Sequence, residues 1–407
     1  MSGDGRIRVA YIVAMHVRWI AFEWIVREID RERFDISFIL LNDGEPPLAP
    51  YLRDKGIVYH HIQYRGKREL PRAIREVYRY CRRNGVEIVH THFMNACLAG
   101  LTGALLAGVR TRIHTRHHAG PFPRKERPRR GWFYDRYNNL LSTHIVAIDR
   151  LVRRVLLDEG AAEKKLSVIY HGFDIGAFGA VDPADVAAFR SRHIPEGAGP
   201  VVGVVARYKN LKGVQYIIPA FACLLKDHPR ALLILANAQG PDTPMIRALL
   251  ADIPRENYLE IPFEDDLYLL YRLFDLFVHV PIARHLEAFG QVYVEALAAG
   301  VPSVVTSAGI AEEIIEHGRN GWVVGFRDSD AILKGMQTLL GDDALRASIV
   351  REGLESIGPE LRLESMVRSL ERLYIATSTS SRRAYEPERS GNGGEYGHVG
   401  GAFGEGG

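Results

Sequence analysis

Cysteine is scarce in this chain of 407 residues. Only Cys81, Cys97 and Cys223 occur, an odd number, far apart and without metal-ligand spacing. That excludes a disulfide framework and a thiolate metal site, and the three are expected to be reduced core thiols of a cytosolic protein. Long apolar runs are missing too: residues 96–109 form the longest, and Gly100, Thr102, Gly103 and Gly108 interrupt it short of a bilayer's thickness. The start, MSGDGRIRVAYIV, passes straight into an apolar strand without an h-region and cleavage site, so a secretory leader is not expected. Charge of one sign is lacking as well. Lys and Arg number 52 against 49 Asp and Glu, a net of +3, which argues against a dedicated nucleic-acid binder. No strand is followed by G-x-G-x-x-G, which removes a NAD-linked oxidoreductase. Between Gly5 and Gly44 there is no glycine at all.

What is present is ordinary globular material, 47% apolar and 25% charged, in a chain long enough for two cores. Short β-branched runs alternate with helical periodicity: residues 6–14 read as a strand, 20–29 as a helix and FDISFIL as a second strand. Residues 56–62, VEIVHTH, RTRIHTRHH and THIVAID continue the series of strands, FEDDLYLLYRLF reads as a later helix, and the proline-bearing stretch AGPFPRKERPRRGW as a loop up to about Trp132. This alternation predicts parallel, doubly wound sheets, whose ligands bind beyond the carboxyl ends of the strands.

The most informative stretch is EAFGQVYVEALAAGVP at residues 287–302, preceded by the strand-like LFDLFVHVP. Phe289, Val292, Ala296 and Ala299 recur at helical spacing, and Gly300 with Pro302 stops the helix before SVVT. Helix-start amides at Ala288, Phe289 and Gly290 would attract phosphate oxygens, because orphan N–H groups and the positive end of the helix dipole coincide there. Glu287 and Glu295 flank that anion site, a pattern suited to a nucleotide sugar. The bland reading is a helix cap and a solvated glutamate.

This block resembles the signature of the retaining glycosyltransferase family 4, whose members have the GT-B fold of two Rossmann-like domains facing each other across a cleft. Glu287, Phe289, Gly290, Glu295, Ala296, Ala299, Gly300 and Pro302 match it, and Gly309 and Glu312 in AGIAEEI match a following segment. The resemblance spans about residues 7–376. It implies an N-terminal acceptor domain at 1–175, a linker at 176–199 and a nucleotide-sugar donor domain at 200–358. A helix at 359–376 would cross back to the first domain, and the glycine-rich tail at 377–407 is too poor in apolar residues to order.

The resemblance also assigns roles. Arg207 and Lys212 would neutralise a diphosphate leaving group with the amides of residues 288–290, and Glu295 would bind the donor ribose. Glu287 would meet the sugar hydroxyls or the developing positive charge, and His117, aligned with Thr115 and Arg116 in the segment HTRHH, would orient sugar or acceptor. Arg284 and His285 lie close enough in sequence to touch the donor. No metal and no other cofactor is expected. The implied activity is sugar transfer with retention, without a nucleic-acid partner, to a saccharide or lipid-linked acceptor in cell-surface polysaccharide, glycolipid or glycoconjugate synthesis.

Two departures stand out. The family's glycine pair before the first helix is replaced near Ile20 and Ala21, and Tyr170 and His171 replace Pro and Asn in the segment SVIYHGFD. A degenerate member that binds sugar nucleotides without turnover is therefore the main alternative. A GT-B nucleotide-sugar epimerase ranks lower, because the first domain offers few strand-end carboxylates for proton transfer. The basic, aromatic segment Arg124 to Arg136 suggests peripheral contact with the inner membrane face, against the simpler reading of a solvated charged loop.

Overall fold

The computed structural model describes residues 5–15, 18–120 and 129–378, without the side chains of 129–132. Seven parallel strands make the first sheet: β1 (Ile7–Val13), β2 (Phe34–Asn42), β3 (Tyr59–Gln63), β4 (Ile88–His92), β5 (Thr111–Arg116), β6 (His144–Ala147) and β7 (Leu166–Val168). They lie in the order β3-β2-β1-β4-β5-β6-β7. The second sheet has six parallel strands: β8 (Val201–Val205), β9 (Leu232–Ala236), β10 (Tyr258–Ile261), β11 (Leu276–His279), β12 (Ser303–Thr306) and β13 (Trp322–Val324), ordered β10-β9-β8-β11-β12-β13. The strand order reverses at β1/β4 and at β8/β11, the switch points where such sheets open a crevice. Helices cover both faces, so the central strands are buried: every residue of β8, all apolar, is buried, and so is every residue of β4, although that strand ends in His90, Thr91 and His92. Gly203 within β8 is obligatory, because a Cβ there would lie 2.3 Å from the Phe274 ring.

The terminal helix Leu363–Thr377 returns to the first sheet, packing Leu363, Met366, Val367, Leu370 and Tyr374 against the core of Val9, Tyr11 and Phe34. Each such side chain contributes about 1.5–3 kcal/mol on burial. The Tyr374 hydroxyl lies 2.5 Å from that of Tyr11 and 2.7 Å from His90 Nδ1. Phe173 exchanges backbone bonds with Leu361 and Leu363 at 2.9 and 3.0 Å, clipping the inter-sheet segment to the root of this helix. Among the described residues, no helix is long and apolar enough to cross a membrane.

Several local expectations change. Cys81 and Cys97 are buried, and burial pushes both thiols up to about 12, but Cys223 is exposed on the outer side of the helix Val214–Leu224. The strand read at 56–62 begins only at Tyr59, because Gly56 closes a turn with φ +65°. The helix expected across FEDDLYLLYRLF shrinks to Leu267–Tyr271, since Asp266 caps it by accepting the amide of Leu269 at 3.0 Å. The segment read as loop up to Trp132 is already helical at Arg129, immediately after Pro128, the last of the prolines. Residues 124–128 of the basic segment and the tail from 379 lie outside the described residues, so neither expectation is placed.

Candidate functional site

A cavity of about 330 Å³ opens between the two sheets, and its walls are strand ends and helix starts. From the first lobe come His117 after β5, Ile148 after β6, and Trp19 with His171. From the second come Arg207 after β8, Asn237 after β9, His279 closing β11, and Glu287 with the turn Ala288–Gly290. Six of the eight proposed site residues, Arg207, Lys212, Glu287, Ala288, Phe289 and Gly290, line the same cavity as His117. Glu295, the remaining one, stands in an adjoining cavity of about 280 Å³, which shares Trp19, Asn237 and Gln291 with the first.

Glu287 is the electrostatic centre. Its Oε2 accepts from Lys212 Nζ at 2.6 Å and from His279 Nε2 at 3.1 Å, with the carboxylate almost fully withdrawn from solvent. Burial alone would raise its pKa, but the charge of Lys212 and the hydrogen bonds of His279 and Lys212 overcome this and bring it to about 2. Burial holds His279 below its usual range against the pull of Glu287, so a neutral imidazole donates through Nε2. Its Nδ1 is buried without a partner. A carboxylate ionised across the whole accessible pH range thus faces the cavity beside a lysine, while the exposed Arg207 stands on the same rim.

The backbone needed for this arrangement depends on three glycines. Lys212 is presented by a turn in which Gly213 has φ +77°, and a Cβ there would sit 1.8 Å from the Val280 carbonyl oxygen. Gly290, with φ +78°, is the cap of the helix Gln291–Ala298, which starts three residues later than Ala288. Ala288 and Phe289 precede the helix; Phe289 is buried and its carbonyl accepts the Ile310 amide at 2.8 Å. Gly309 allows that approach, since its Cβ would meet the same carbonyl at 2.6 Å. Asn237 takes φ +60°, a conformation that asparagine tolerates better than most residues.

Glu295 is half-buried and accepts the Tyr271 hydroxyl at 2.8 Å. Burial pushes its carboxyl up to about 7, only partly offset by that bond. Arg284 pairs through two hydrogen bonds with Glu312 and stands outside the cavity wall, so its expected donor contact gains no support.

His117 sits in a nest of rings. Its Nε2 is 3.0 Å from His92 Nδ1, its face stacks on His171 (5.6 Å, 9°) and on Phe93 (4.9 Å, 24°), and Trp19 lies 5.0 Å away. Burial, aided by neighbouring imidazoles, holds His92 and His117 well below the usual histidine range and brings His171 to about 4. Phe93 adopts φ 69°, ψ 153°, a region nearly reserved for glycine.

Three of these residues escaped the sequence reading. His279 ends a strand, the position beyond which ligands of doubly wound sheets bind, and was visible on that ground. His171 was visible only as a departure, and Trp19 occupies the loop where glycines were missed. Among the described residues no cluster of three or more His, Cys, Asp or Glu could hold a metal ion.

Two Rossmann-like lobes, each a parallel α/β sheet, facing across a cleft define the GT-B class. The family model "Glycosyltransferase Family 4" matches residues 23–176 and "Glycosyl transferases group 1" matches 185–355. The chain belongs to these family 4 glycosyltransferases. It is 27% identical over 335 residues to a D-inositol 3-phosphate glycosyltransferase of Corynebacterium kroppenstedtii, covering 74% of this chain and 71% of that one. It is 28% identical over 171 residues to N-acetyl-alpha-D-glucosaminyl L-malate synthase of Bacillus anthracis, covering 42% of this chain and 44% of that protein. Anabaena HepE, solved in complex with UDP, superposes with a TM-score of 0.76 over 91% of this chain and 100% of its own at 19% identity, a likeness of fold.

Proposed function

We propose that the protein transfers a hexosyl group from a nucleoside-diphosphate sugar to an acceptor with retention of configuration, without a metal. The observation that carries this reading is Glu287, ionised and held by Lys212 and His279 at the mouth of the Gln291 helix, with Arg207 on the same rim. A diphosphate leaving group needs cations and amides to stabilise its developing charge, and Arg207, Lys212 and the turn 288–290 supply them from one side. The carboxylate beside them stabilises positive charge growing on the sugar. Glu295 reaches the donor ribose from the adjoining cavity, and His117 orients the sugar against the acceptor. That HepE was solved with UDP, and in another crystal with UDP-glucose, supports a nucleotide-sugar donor.

No protein nucleophile is assigned. The acceptor hydroxyl attacks on the face from which the diphosphate departs, and the diphosphate oxygen takes up the proton. Closing the two lobes over the donor excludes water and limits hydrolysis. The test is a panel of nucleotide sugars scored for release of nucleoside diphosphate, with Glu287→Ala as control. Release that falls by about 10²-fold or more in the variant supports transfer. Donor binding without release in the parent protein would establish instead the degenerate, non-catalytic member.

A further inference from the structure

We infer that the acceptor presents an uncharged sugar or cyclitol ring to the first lobe, stacked on Trp19, and that a ring carrying phosphate at this end is rejected. The inference rests on the glycosyltransferase reading and specifies the class of its acceptor.

Trp19 stands where the three cavities of the cleft meet, contributing to the wall of each. It caps the helix Ile20–Glu28 through its backbone, with the Phe22 amide on its carbonyl at 3.2 Å, and its indole leans on Phe93 (4.9 Å) and Phe22 (5.8 Å). A glycine-rich turn would expose bare amides to an anion at this place; an indole presents an apolar face. Beside it the wall continues with His117, His171 and Ile148. The imidazoles are neutral at physiological pH because burial keeps them so. The described residues of the first lobe therefore place no cation on the wall of the 330 Å³ cavity, and Arg18, on the wall of the adjoining one, is held by Glu23 at 2.6 and 2.8 Å; Arg207 and Lys212, on the opposite side, are committed to the donor and to Glu287.

The nearest anion-binding feature of that lobe is already taken. The helix Arg150–Asp158 begins directly after Ile148, and its first amides would hold a phosphate. Two carboxyl groups of the protein fill that role. Asp149 Oδ1 accepts the Val152 amide at 2.5 Å, and Glu313, reaching across from the second lobe, accepts the Arg150 amide at 2.8 Å. Glu313 also takes the Tyr170 hydroxyl at 2.7 Å and pairs with the largely exposed Arg150 guanidinium at 3.3 Å. A phosphate entering this corner would have to displace one of these two carboxyl groups and would still face the other. A neutral ring instead sets its C–H face on the indole and turns its hydroxyls toward the imidazole nitrogens and Glu287.

The test pairs neutral and phosphorylated probes: the methyl glycosides of glucose, galactose, mannose and N-acetylglucosamine against the corresponding 6-phosphates. Binding is followed by saturation-transfer NMR, which needs no turnover, and nucleoside-diphosphate release is scored separately. At least one neutral probe should bind at least 10-fold more tightly than its phosphate, and Trp19→Ala should weaken it at least 10-fold. Glu313→Ala should admit the phosphorylated partner, a gain that a general loss of folding would not produce. Tighter binding of a phosphorylated probe, failure of every neutral probe to bind, or indifference to Trp19→Ala would overturn the inference. Binding with this pattern but no nucleotide release from any donor would retain the acceptor assignment while rejecting the enzymatic reading.

Discussion

Replacing Lys212 by Met strips the charge that keeps Glu287 ionised. In the folded protein that carboxyl titrates at about 2 rather than at 4.5, a difference equivalent to about 3 kcal/mol of stability. The sign follows from the depressed value: the folded state resists protonation, so the contribution is complete above the unfolded pKa of 4.5 and disappears as pH falls towards 2. Lys212 supplies the largest opposing influence and His279 the remainder, and the pair is mostly shielded, at 21% and 10% side-chain exposure. Lys212→Met should therefore cost about 2–3 kcal/mol at pH 7, roughly 5–10 °C in Tm of a domain this size. The deficit should shrink below pH 4.5, where Glu287 in the variant takes up a proton. Glu287→Gln should cost less, because the Lys212 ammonium it leaves without a counter-ion is the more exposed of the two and keeps an amide oxygen within reach, and the double variant should be no less stable than Glu287→Gln alone. Thermal unfolding monitored by circular dichroism at pH 7 and pH 4 measures all four proteins. Single-variant costs that simply add, to within about 0.5 kcal/mol, would refute the coupling and with it the electrostatic centre of the site.

Three further outcomes are expected. Glu295→Gln should raise stability by about 2 kcal/mol at pH 8 and change little at pH 4. The folded carboxyl keeps its proton up to about 7 while the unfolded one loses it near 4.5, so folding loses stability as pH rises through that window; melting curves at the two pH values decide it. Gly213→Ala should cost at least about 3 kcal/mol, whereas Gly108→Ala, with nearly the same φ of +78° and open space around it, should cost about 1; denaturant titration of both separates backbone strain from the clash with Val280. Tyr374→Phe should cost about 1–3 kcal/mol by leaving the Tyr11 hydroxyl and His90 Nδ1 unsatisfied, and hydrogen exchange should show the terminal helix opening more readily.

The two sheets were legible because parallel strands buried on both faces are written as short runs rich in β-branched residues. VVGVV became β8 and SVVT became β12 at the residues expected. Element ends were less legible: nothing in FEDDLYLLYRLF indicates that Asp266 rather than Phe263 starts the helix. The cavity residues were found where helix-start chemistry and charge lie close in sequence, as in residues 287–295. They were missed where the role depends on distant neighbours. His279 becomes part of the site only because β11 ends opposite the Lys212 turn, and His171 only because its segment brings its ring over His117.

The chain's order of residues determined by itself the alternation of strands and helices, the two-lobed plan and the acidic, glycine-bearing block at 287–302, since each depends on periodicity and local backbone preference. Tertiary structure alone decided that Lys212, 75 positions upstream, neutralises Glu287, that Trp19 fills the corner left without glycine, and that Glu313 closes the helix start at Arg150. Those pairings are made by packing across a cleft. Their energies depend on burial and separation, which no local pattern encodes.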